Sequence, residues 1–264
     1  MNARSALFDV YGDHLRERGG AAPVASLVRL LGPLGVAPPA VRTAISRMVR
    51  QGWLVPARVQ HAAGYALTPR AARRLDDAAA RIYRTEQPSW DGTWHLLVVT
   101  MPSGRSARDR VRAGLSFLGY GPLEDTTWVS PRPHPEADSL LAGEGARAER
   151  FSSRHDGDSA VLITRAWDLD GLARSYLRFV DDASLLAEPA DGSDRAAFVA
   201  RSRLVHAWRM FLFSDPALPA ALLPVDWPGA KAASYFDAEA ARLLPASNRF
   251  VDTCLAAPGE GSDV

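Results

Sequence analysis

The apolar residues near the start of the chain recur every three or four positions in three short runs, which predicts three amphipathic helices. The first run ends at Gly19-Gly20, and the second, over residues 26–34, ends before Gly35. The third follows Pro38-Pro39, because proline fits the first turn of a helix. Residues 54–68 then predict two strands around a turn near residues 61–64, and a fourth helix begins at Pro69.

The third predicted helix separates its apolar side chains from its polar ones. Val41, Ile45 and Met48 line one face, and the other carries a basic and hydroxylic set: Arg42, Thr43, Ser46, Arg47 and Arg50. Two helices, a basic helix and a hairpin follow one another in a winged helix-turn-helix, whose third helix enters the major groove of DNA. Arginine can pair with guanine there, and Ser and Thr can bond bases or phosphates. A solvated basic helix in a small bundle is the alternative interpretation.

The middle of the chain alternates between strand and helix patterns after a polar break at residues 86–90, which predicts a hinge. Strands are predicted over residues 93–101, over 126–130 and near 151, and helices over 106–118 and 136–142. Residues 160–165 complete a repeating β–α–β plan. This pattern predicts a small ferredoxin-like α+β domain.

The last third of the chain is predominantly helical in its pattern. Asp168 is predicted to cap a helix over residues 169–180, residues 182–194 form a linker, and a strong helix covers 195–213. The fold class is therefore α+β with three domains. They are an N-terminal winged helix-turn-helix (1–88), a central ferredoxin-like domain (89–182) and a C-terminal mostly helical domain (183–264).

The basic and acidic residues are distributed unevenly along the chain, although its overall composition is ordinary. A hydrophobic fraction of 47% and a charged fraction of 23% are ordinary for a globular protein and exclude a disordered chain. Residues 1–88 contain 13 arginines against 6 acidic residues, whereas the remainder contains 18 basic against 24 acidic residues. This asymmetry predicts a module that binds a polyanion, joined to a part that does not.

The sequence lacks the signals that are typical of several function classes. A single cysteine, Cys254, excludes an internal disulfide and a thiolate metal cluster. The apolar stretches are too short to span a membrane, and the first twenty residues are charged, so we expect a soluble, cytoplasmic protein without a secretory signal. We expect no metal and no cofactor, because no phosphate-binding loop, dinucleotide fingerprint or metalloprotease motif occurs.

Several stretches resemble the PaaX-type bacterial transcriptional repressors, a family named for control of phenylacetic acid degradation. In the first half they are Leu15-Arg-Glu-Arg-Gly-Gly20, Leu27-Val-Arg-Leu-Leu-Gly-Pro-Leu-Gly35, Val41-Arg-Thr-Ala-Ile-Ser-Arg-Met48, Gly52-Trp-Leu54, Tyr65-Ala-Leu-Thr68 and Arg81-Ile-Tyr83. Near the end they are Arg203-Leu-Val-His-Ala-Trp-Arg209, Ser214-Asp-Pro-Ala-Leu-Pro219 and Leu222-Leu-Pro-Val-Asp-Trp-Pro-Gly229. The resemblance covers nearly the whole chain.

The resemblance implies a homodimeric repressor that binds an inverted-repeat operator in double-stranded DNA through helix 41–50 and the wing. The wing departs from the family, which often has a Gly-Arg pair where this chain has Val59-Gln-His-Ala-Ala-Gly64. Arg58 is therefore the only arginine of the wing and a further candidate for DNA binding.

The resemblance also implies release by an aryl- or acyl-CoA effector, which is phenylacetyl-CoA in the system that named the family. Arg203, His206 and Arg209 repeat every three residues on roughly one helical face. Cations beside an apolar groove suit the phosphates and the acyl group of such a ligand. The alternative is that they pair with acidic neighbours such as Asp215 or Asp226 and hold the fold together.

Two other function classes stay open. The family's central domain is similar to a small CRISPR-associated ribonuclease fold, in which an aspartate at the end of the first strand holds a metal. Here that strand ends Val99-Thr-Met-Pro102, and Asp91 lies at its beginning. We therefore expect a protein that is not an enzyme, with a metal-dependent nuclease as the alternative and an RNA-binding adaptor as a third hypothesis.

Overall fold

A computed structural model describes residues 1–83 and 89–257. The helices are α1 (Ala3–Val10), α2 (Val24–Leu31), α3 (Pro38–Arg50), α4 (Pro69–Ile82), α5 (Arg105–Phe117), α6 (Ala137–Gly143), α7 (Ser159–Ala166), α8 (Leu169–Ala187), α9 (Asp194–Arg209) and α10 (Pro228–Ala256). The strands are β1 (Ala21–Pro23), β2 (Leu54–Val59), β3 (Ala62–Leu67), β4 (Trp94–Thr100), β5 (Gly121–Pro122), β6 (Thr127–Ser130) and β7 (Arg147–Ser153). The predicted α+β class is confirmed.

The described residues divide into two compact units. Unit 1 contains residues 1–83, 179–208 and 233–257, and unit 2 contains residues 89–178 and 209–232. The predicted C-terminal segment 183–264 is thus shared between the units, and the division into three consecutive domains stays a prediction. Residues 86–88 of the predicted hinge lie outside the described residues.

Unit 1 combines a three-stranded sheet with helices from both ends of the chain. Its strand order is β1-β3-β2, with both neighbouring pairs antiparallel. The core is formed by fully buried side chains of the first helices and by Phe198 of α9 and Val251 of α10. After α1 the chain continues as a π-helical turn, Tyr11–Leu15, and Gly19 ends the helical segment with a φ of 85°. The short strand β1 was not predicted.

Unit 2 contains a four-stranded sheet in the order β5-β6-β4-β7, in which every neighbouring pair is antiparallel. Val111 and Leu115 of α5 pack with Leu97 of β4 in one core cluster. Trp94 of the same strand packs with Ile163 and its neighbours in a second cluster. The order of strands and helices, with β4 beside both β6 and β7, fits the predicted ferredoxin-like domain.

Two predictions for the second half of the chain were wrong, one for an element and one for the length of a linker. Residues 160–165 lie in the helix α7, which Asp158 begins by accepting a hydrogen bond from the Ala160 N–H at 2.8 Å. The predicted linker at 182–194 is shortened because α8 continues to Ala187, where Ala183 and Ala187 are both buried four residues apart. The predicted cap of α8 is present, since Asp168 accepts a hydrogen bond from the Gly171 N–H at 2.8 Å.

Among the described residues, no single helix is both long and apolar enough to cross a membrane. The segments Val24–Leu34 and Pro38–Arg50 reach the required length and composition only as a pair, across a bend of 119°.

The end of α10 is fastened to α2 by one arginine. The Arg29 guanidinium donates hydrogen bonds to the Cys254 carbonyl at 2.8 and 3.2 Å and to the Ala257 carbonyl at 2.8 Å. Carbonyls at a helix C-terminus lack partners within the helix, so a cation there satisfies them. Cys254, the one cysteine of the chain, is buried in the same last turn.

We expect Arg29→Ala to lower the free energy of unfolding by about 1.5–3 kcal/mol, the usual contribution of hydrogen bonds to a charged group. The last turn of α10 then frays, and the Cys254 thiol reacts faster with a thiol reagent. Burial raises the pKa of this thiol, so the starting rate is low. Arg16→Ala is the matched control, because Arg16 pairs with the exposed Glu17 and Asp76 instead. An unchanged rate of Cys254 modification in Arg29→Ala contradicts the prediction.

Candidate nucleic-acid interface

The helix α3 forms because a tight turn and a proline set its start. Gly35 adopts a φ of 79°, which favours glycine, and Pro38 occupies the first turn of α3. Val41, Ile45 and Met48 are buried in the core of unit 1. The helix is thereby held with its opposite face toward solvent.

That solvent face carries every polar residue predicted from the sequence for this helix. Arg42, Thr43, Ser46, Arg47 and Arg50 are all exposed. At 3.6 residues per turn these positions cover an arc of roughly 140° around the helix.

The three arginines of the arc are not engaged with other residues that the structure describes. Arg42, Arg47 and Arg50 make no hydrogen bond or ion pair with the described residues. Their guanidinium donors are available for an external acceptor, whether a phosphate or the edge of guanine.

The two hydroxyls of the arc are oriented by their own helix. Thr43 donates to the Pro39 carbonyl at 2.9 Å and Ser46 to the Arg42 carbonyl at 3.1 Å. With the hydroxyl hydrogens used in this way, each oxygen offers lone pairs to solvent. In these rotamers the Thr43 and Ser46 oxygens can accept hydrogen bonds from the amino groups of adenine or cytosine.

The hairpin β2–β3 turns through two residues rather than near residues 61–64 as predicted. Gln60 and His61 have φ angles of 50° and 65°, the left-handed conformations that a two-residue hairpin turn requires. Arg58 is exposed and donates to the His61 carbonyl at 3.1 Å, so part of its guanidinium is held across the turn. The remaining donors of Arg58 face solvent beside the turn.

Position 64 in β3 requires a glycine because the neighbouring strand β1 passes close to it. An added Cβ at this position would stand 2.5 Å from the Ala22 carbonyl oxygen. We expect Gly64→Ala to lower the free energy of unfolding by about 1–3 kcal/mol, the usual cost of overpacking. Denaturant unfolding measures the loss.

Gly32→Ala is the control for this prediction, because a Cβ there meets nothing within 4 Å and its φ of −55° suits any residue. We expect that variant to be as stable as the parent or up to about 1 kcal/mol more stable. Equal stability of both variants would show that β1 does not constrain Gly64.

A buried ion pair joins the N-terminal segment of unit 1 to its C-terminal helices. The Arg201 guanidinium of α9 donates to both carboxylate oxygens of Asp13, at 2.8 and 2.6 Å. The two side chains are only 4% and 5% exposed. Tyr83 donates to the same carboxylate at 2.5 Å, and Arg201 also bonds the Ala240 carbonyl of α10. The pair therefore connects α9, α10 and the turn that precedes the DNA-binding candidate.

The ionised state of Asp13 is favoured despite its burial. Burial alone opposes the charge, but attraction to His14 and Arg201 and the hydrogen bonds from Arg201 and Tyr83 lower the pKa of Asp13 below its ordinary value. Neither member of the pair was predicted from the sequence. The available signal was a charged residue between apolar ones on each helix, since Arg201 stands three positions after the buried Phe198.

The predicted effector residues have different surroundings. Arg203 is exposed, whereas His206 is half-buried and bonds the Asp9 carboxylate through Nδ1 at 2.8 Å. His206 thus has an acidic partner within the fold, although that partner is neither Asp215 nor Asp226. Asp215 instead accepts hydrogen bonds from the Tyr176 hydroxyl and the Ala217 N–H. Arg209 belongs to unit 2, while Arg203 and His206 belong to unit 1.

No observation in the described residues favours nuclease chemistry. No group of three or more His, Cys, Asp or Glu side chains within residues 1–83 and 89–257 is arranged to hold a metal ion. Asp91 is exposed before β4 and accepts a hydrogen bond from the Thr93 N–H at 2.8 Å. That bond, which closes a local turn, lowers its pKa.

Comparison with known proteins covers almost the whole chain. Family models match in three places: PaaX-like protein at residues 2–71, PaaX protein central Cas2-like domain at 87–161, and PaaX-like protein C-terminal domain at 167–253. The transcriptional repressor PaaX of Escherichia coli (strain K12) is 31% identical, over 95% of this chain and 83% of that protein. An uncharacterized protein of Mycobacterium tuberculosis has a similar solved structure, with 26% identity, a TM-score of 0.64 and coverage of 96% of this chain and 98% of that one.

Proposed function

Since the chain belongs to the PaaX family, we propose that it is a transcriptional repressor that binds double-stranded operator DNA and catalyses no reaction. The observation that carries this proposal is α3, which buries its apolar face in unit 1 and exposes three arginines that have no partner within residues 1–83 and 89–257. The repressor of Escherichia coli that the chain resembles supports the same role. A repressor acts on chromosomal DNA, so we propose a cytoplasmic location.

We further propose that α1–α3 and the hairpin β2–β3 act as a winged helix-turn-helix. The helices α2 and α3 meet at a bend of 119°, within the range of helix-turn-helix motifs. In this arrangement α3 enters the major groove with Arg42, Thr43, Ser46, Arg47 and Arg50. Arg58 and the Gln60-His61 turn approach the DNA from the wing.

A homodimer is the form that we propose for operator binding. Two copies of α3 related by a two-fold axis read an inverted repeat whose half-sites are about 34 Å apart on one face of the DNA. The family resemblance and the need for two half-sites support this form.

We propose an aryl- or acyl-CoA, of the phenylacetyl-CoA kind, as the effector that releases the operator. Arg203, His206 and Arg209 were the residues predicted to bind it. The exposed side chain of Arg203 is compatible with this role, whereas His206 uses its Nδ1 to bond Asp9, which leaves Nε2 as the ring nitrogen for a ligand. An effector acts by binding the DNA-free form more tightly than the DNA-bound form.

Fluorescence anisotropy with the DNA upstream of the protein's own gene and its neighbours tests the proposal. We expect specific binding that weakens as salt rises, because arginine–phosphate contacts release counterions. One CoA thioester of a small panel should then release the DNA. A salt slope near zero, or tighter binding to single-stranded RNA than to the duplex, would overturn the proposed repressor; specific binding that no thioester changes would overturn the effector alone.

A further inference from the structure

The tip of the hairpin β2–β3 extends beyond the rest of its sheet. β1 pairs with residues 64–66 of β3, whereas β2 continues beside β3 as far as Val59 opposite Ala62. The last two residue pairs and the turn therefore form a two-stranded arm, which is roughly 10 Å long at about 3.3 Å per residue. Ala62 and Ala63 have small side chains, so one strand of the arm adds little width. An arm of this kind can reach a surface that the sheet itself does not touch.

The turn at the end of the arm has a backbone conformation that its two residues adopt at a cost. Gln60 and His61 both have a positive φ, where hairpin turns usually have Asn-Gly or Asp-Gly because a side chain disfavours this region. In the part of the chain that the structure describes, Ala217 is the one other non-glycine residue with a positive φ. Unfavourable backbone conformations are concentrated at functional sites, so the side chains of the turn are candidates for a function.

The His61 side chain is available to a partner outside the chain. Its imidazole is exposed and makes no hydrogen bond or ion pair with residues 1–83 and 89–257. Its backbone carbonyl, by contrast, accepts a hydrogen bond from the Arg58 guanidinium, which fixes the turn. The arm thus ends in one permanent cation and one histidine, the side chain that becomes charged as the pH falls from about 8 to about 5.

The segment around the arm carries no negative side chain. No aspartate or glutamate occurs between Glu17 and Asp76, a segment that contains α2, α3, the whole hairpin and the first half of α4. Asp76 itself is paired with Arg16 at 3.2 Å. The charged group bonded to the turn is Arg58. An imidazolium at position 61 therefore has no carboxylate within this segment to neutralise it, and the surface favours an external anion.

We propose that the protonated imidazole of His61 donates a hydrogen bond to a DNA phosphate, so that DNA binding becomes tighter as the pH falls. A phosphate between Arg58 and His61 offsets the repulsion between the two cations and favours the charged imidazole. DNA binding is then linked to the uptake of up to one proton per chain. This inference rests on the proposed function, because it requires a chain that binds duplex DNA.

Fluorescence anisotropy of the full chain at about pH 5.5 and about pH 8, on either side of the titration range of histidine, tests the contact. The probes are the DNA upstream of the protein's own gene and scrambled DNA of equal length. We expect the wild type to bind both DNAs roughly 3- to 10-fold more tightly at the lower pH, since a charge-assisted hydrogen bond is about twice as strong as a neutral one. The plot of log affinity against log salt should also be steeper there by about one unit per chain.

Two variants of His61 separate its charge from its place in the turn. His61→Asn stays neutral and tolerates a positive φ, so it should bind with the weaker affinity at both pH values. His61→Arg is always charged and should bind with the tighter affinity at both. His155→Asn removes another exposed histidine, which belongs to unit 2, and should keep the full pH dependence of the wild type. A pH dependence that persists in His61→Asn overturns the proposal.

The same titrations distinguish a failure of this inference from a failure of the proposed function. A wild type that binds the upstream DNA equally well at both pH values keeps the repressor and overturns the role of His61. A wild type that binds neither DNA at either pH overturns the repressor and this contact together. A pH effect confined to the upstream DNA overturns the phosphate contact, because the phosphates are the same in both DNAs.

Discussion

We expect Arg201→Met to lower the free energy of unfolding by about 3–5 kcal/mol, the usual cost of removing one partner of a buried ion pair. Asp13 then remains buried with its charge, because its bidentate partner is gone and Tyr83 supplies only one hydrogen bond. The Ala240 carbonyl of α10 loses its donor as well. Denaturant unfolding followed by circular dichroism measures the loss.

The double variant Asp13→Asn/Arg201→Met provides the control. Removing both charges leaves no uncompensated ion, so we expect it to be at least about 1 kcal/mol more stable than Arg201→Met alone. A double variant less stable than the single one would show that the ion pair is not the source of the effect. Arg249→Ala is a second control, since its pair with Asp194 is exposed to solvent and such pairs contribute little to stability.

The stabilisation by Asp13 depends on pH with a definite sign. Because the pKa of Asp13 is lower in the folded chain than its ordinary value, the stabilisation is fully present above about pH 4. It is lost as the pH falls through the pKa of the folded state. The stability difference between wild type and Arg201→Met should therefore shrink as the pH falls through the pKa of Asp13 in the folded wild type.

We expect Arg42→Ala/Arg47→Ala to weaken specific operator binding by about 2–6 kcal/mol, since each arginine paired with guanine contributes about 1–3 kcal/mol. The two side chains point in different directions on the exposed face of α3, so their contributions should be nearly additive. Both are exposed and have no partner in the described part of the chain, so stability should change by less than about 0.5 kcal/mol. Anisotropy with operator and with scrambled DNA of equal length measures the effect.

The scrambled DNA tells base contacts from phosphate contacts. Loss confined to the operator indicates pairing with bases, whereas equal loss on both DNAs with a salt slope smaller by about one per arginine indicates phosphates. Arg147→Ala on β7 is the matched control, an exposed arginine of unit 2 whose removal should leave both affinities unchanged. An operator Kd that stays constant in the double variant would move DNA recognition away from α3.

Local patterns in the sequence determined the helices α1 to α5 and the exposed face of α3. A helix buries one stripe at a period of 3.6 residues, so the spacing of Val41, Ile45 and Met48 alone placed the arginines on the opposite side. The same reasoning located the central strands and α5. The helix α10 has the same periodicity, since the residues buried at spacings of three and four are Phe236, Ala240, Leu243, Ser247 and Val251. That helix was nevertheless not predicted, because Pro245 interrupts the pattern.

Only the tertiary structure decided which distant residues meet. Asp13 and Arg201 are 188 positions apart, and Arg29 bonds the Cys254 carbonyl from 225 positions away. Gly64 is required by a strand that passes beside it rather than by a turn of its own. Periodicity reports which side of an element is buried, whereas the partner across the core depends on how the whole chain folds back, and no local spacing carries that information.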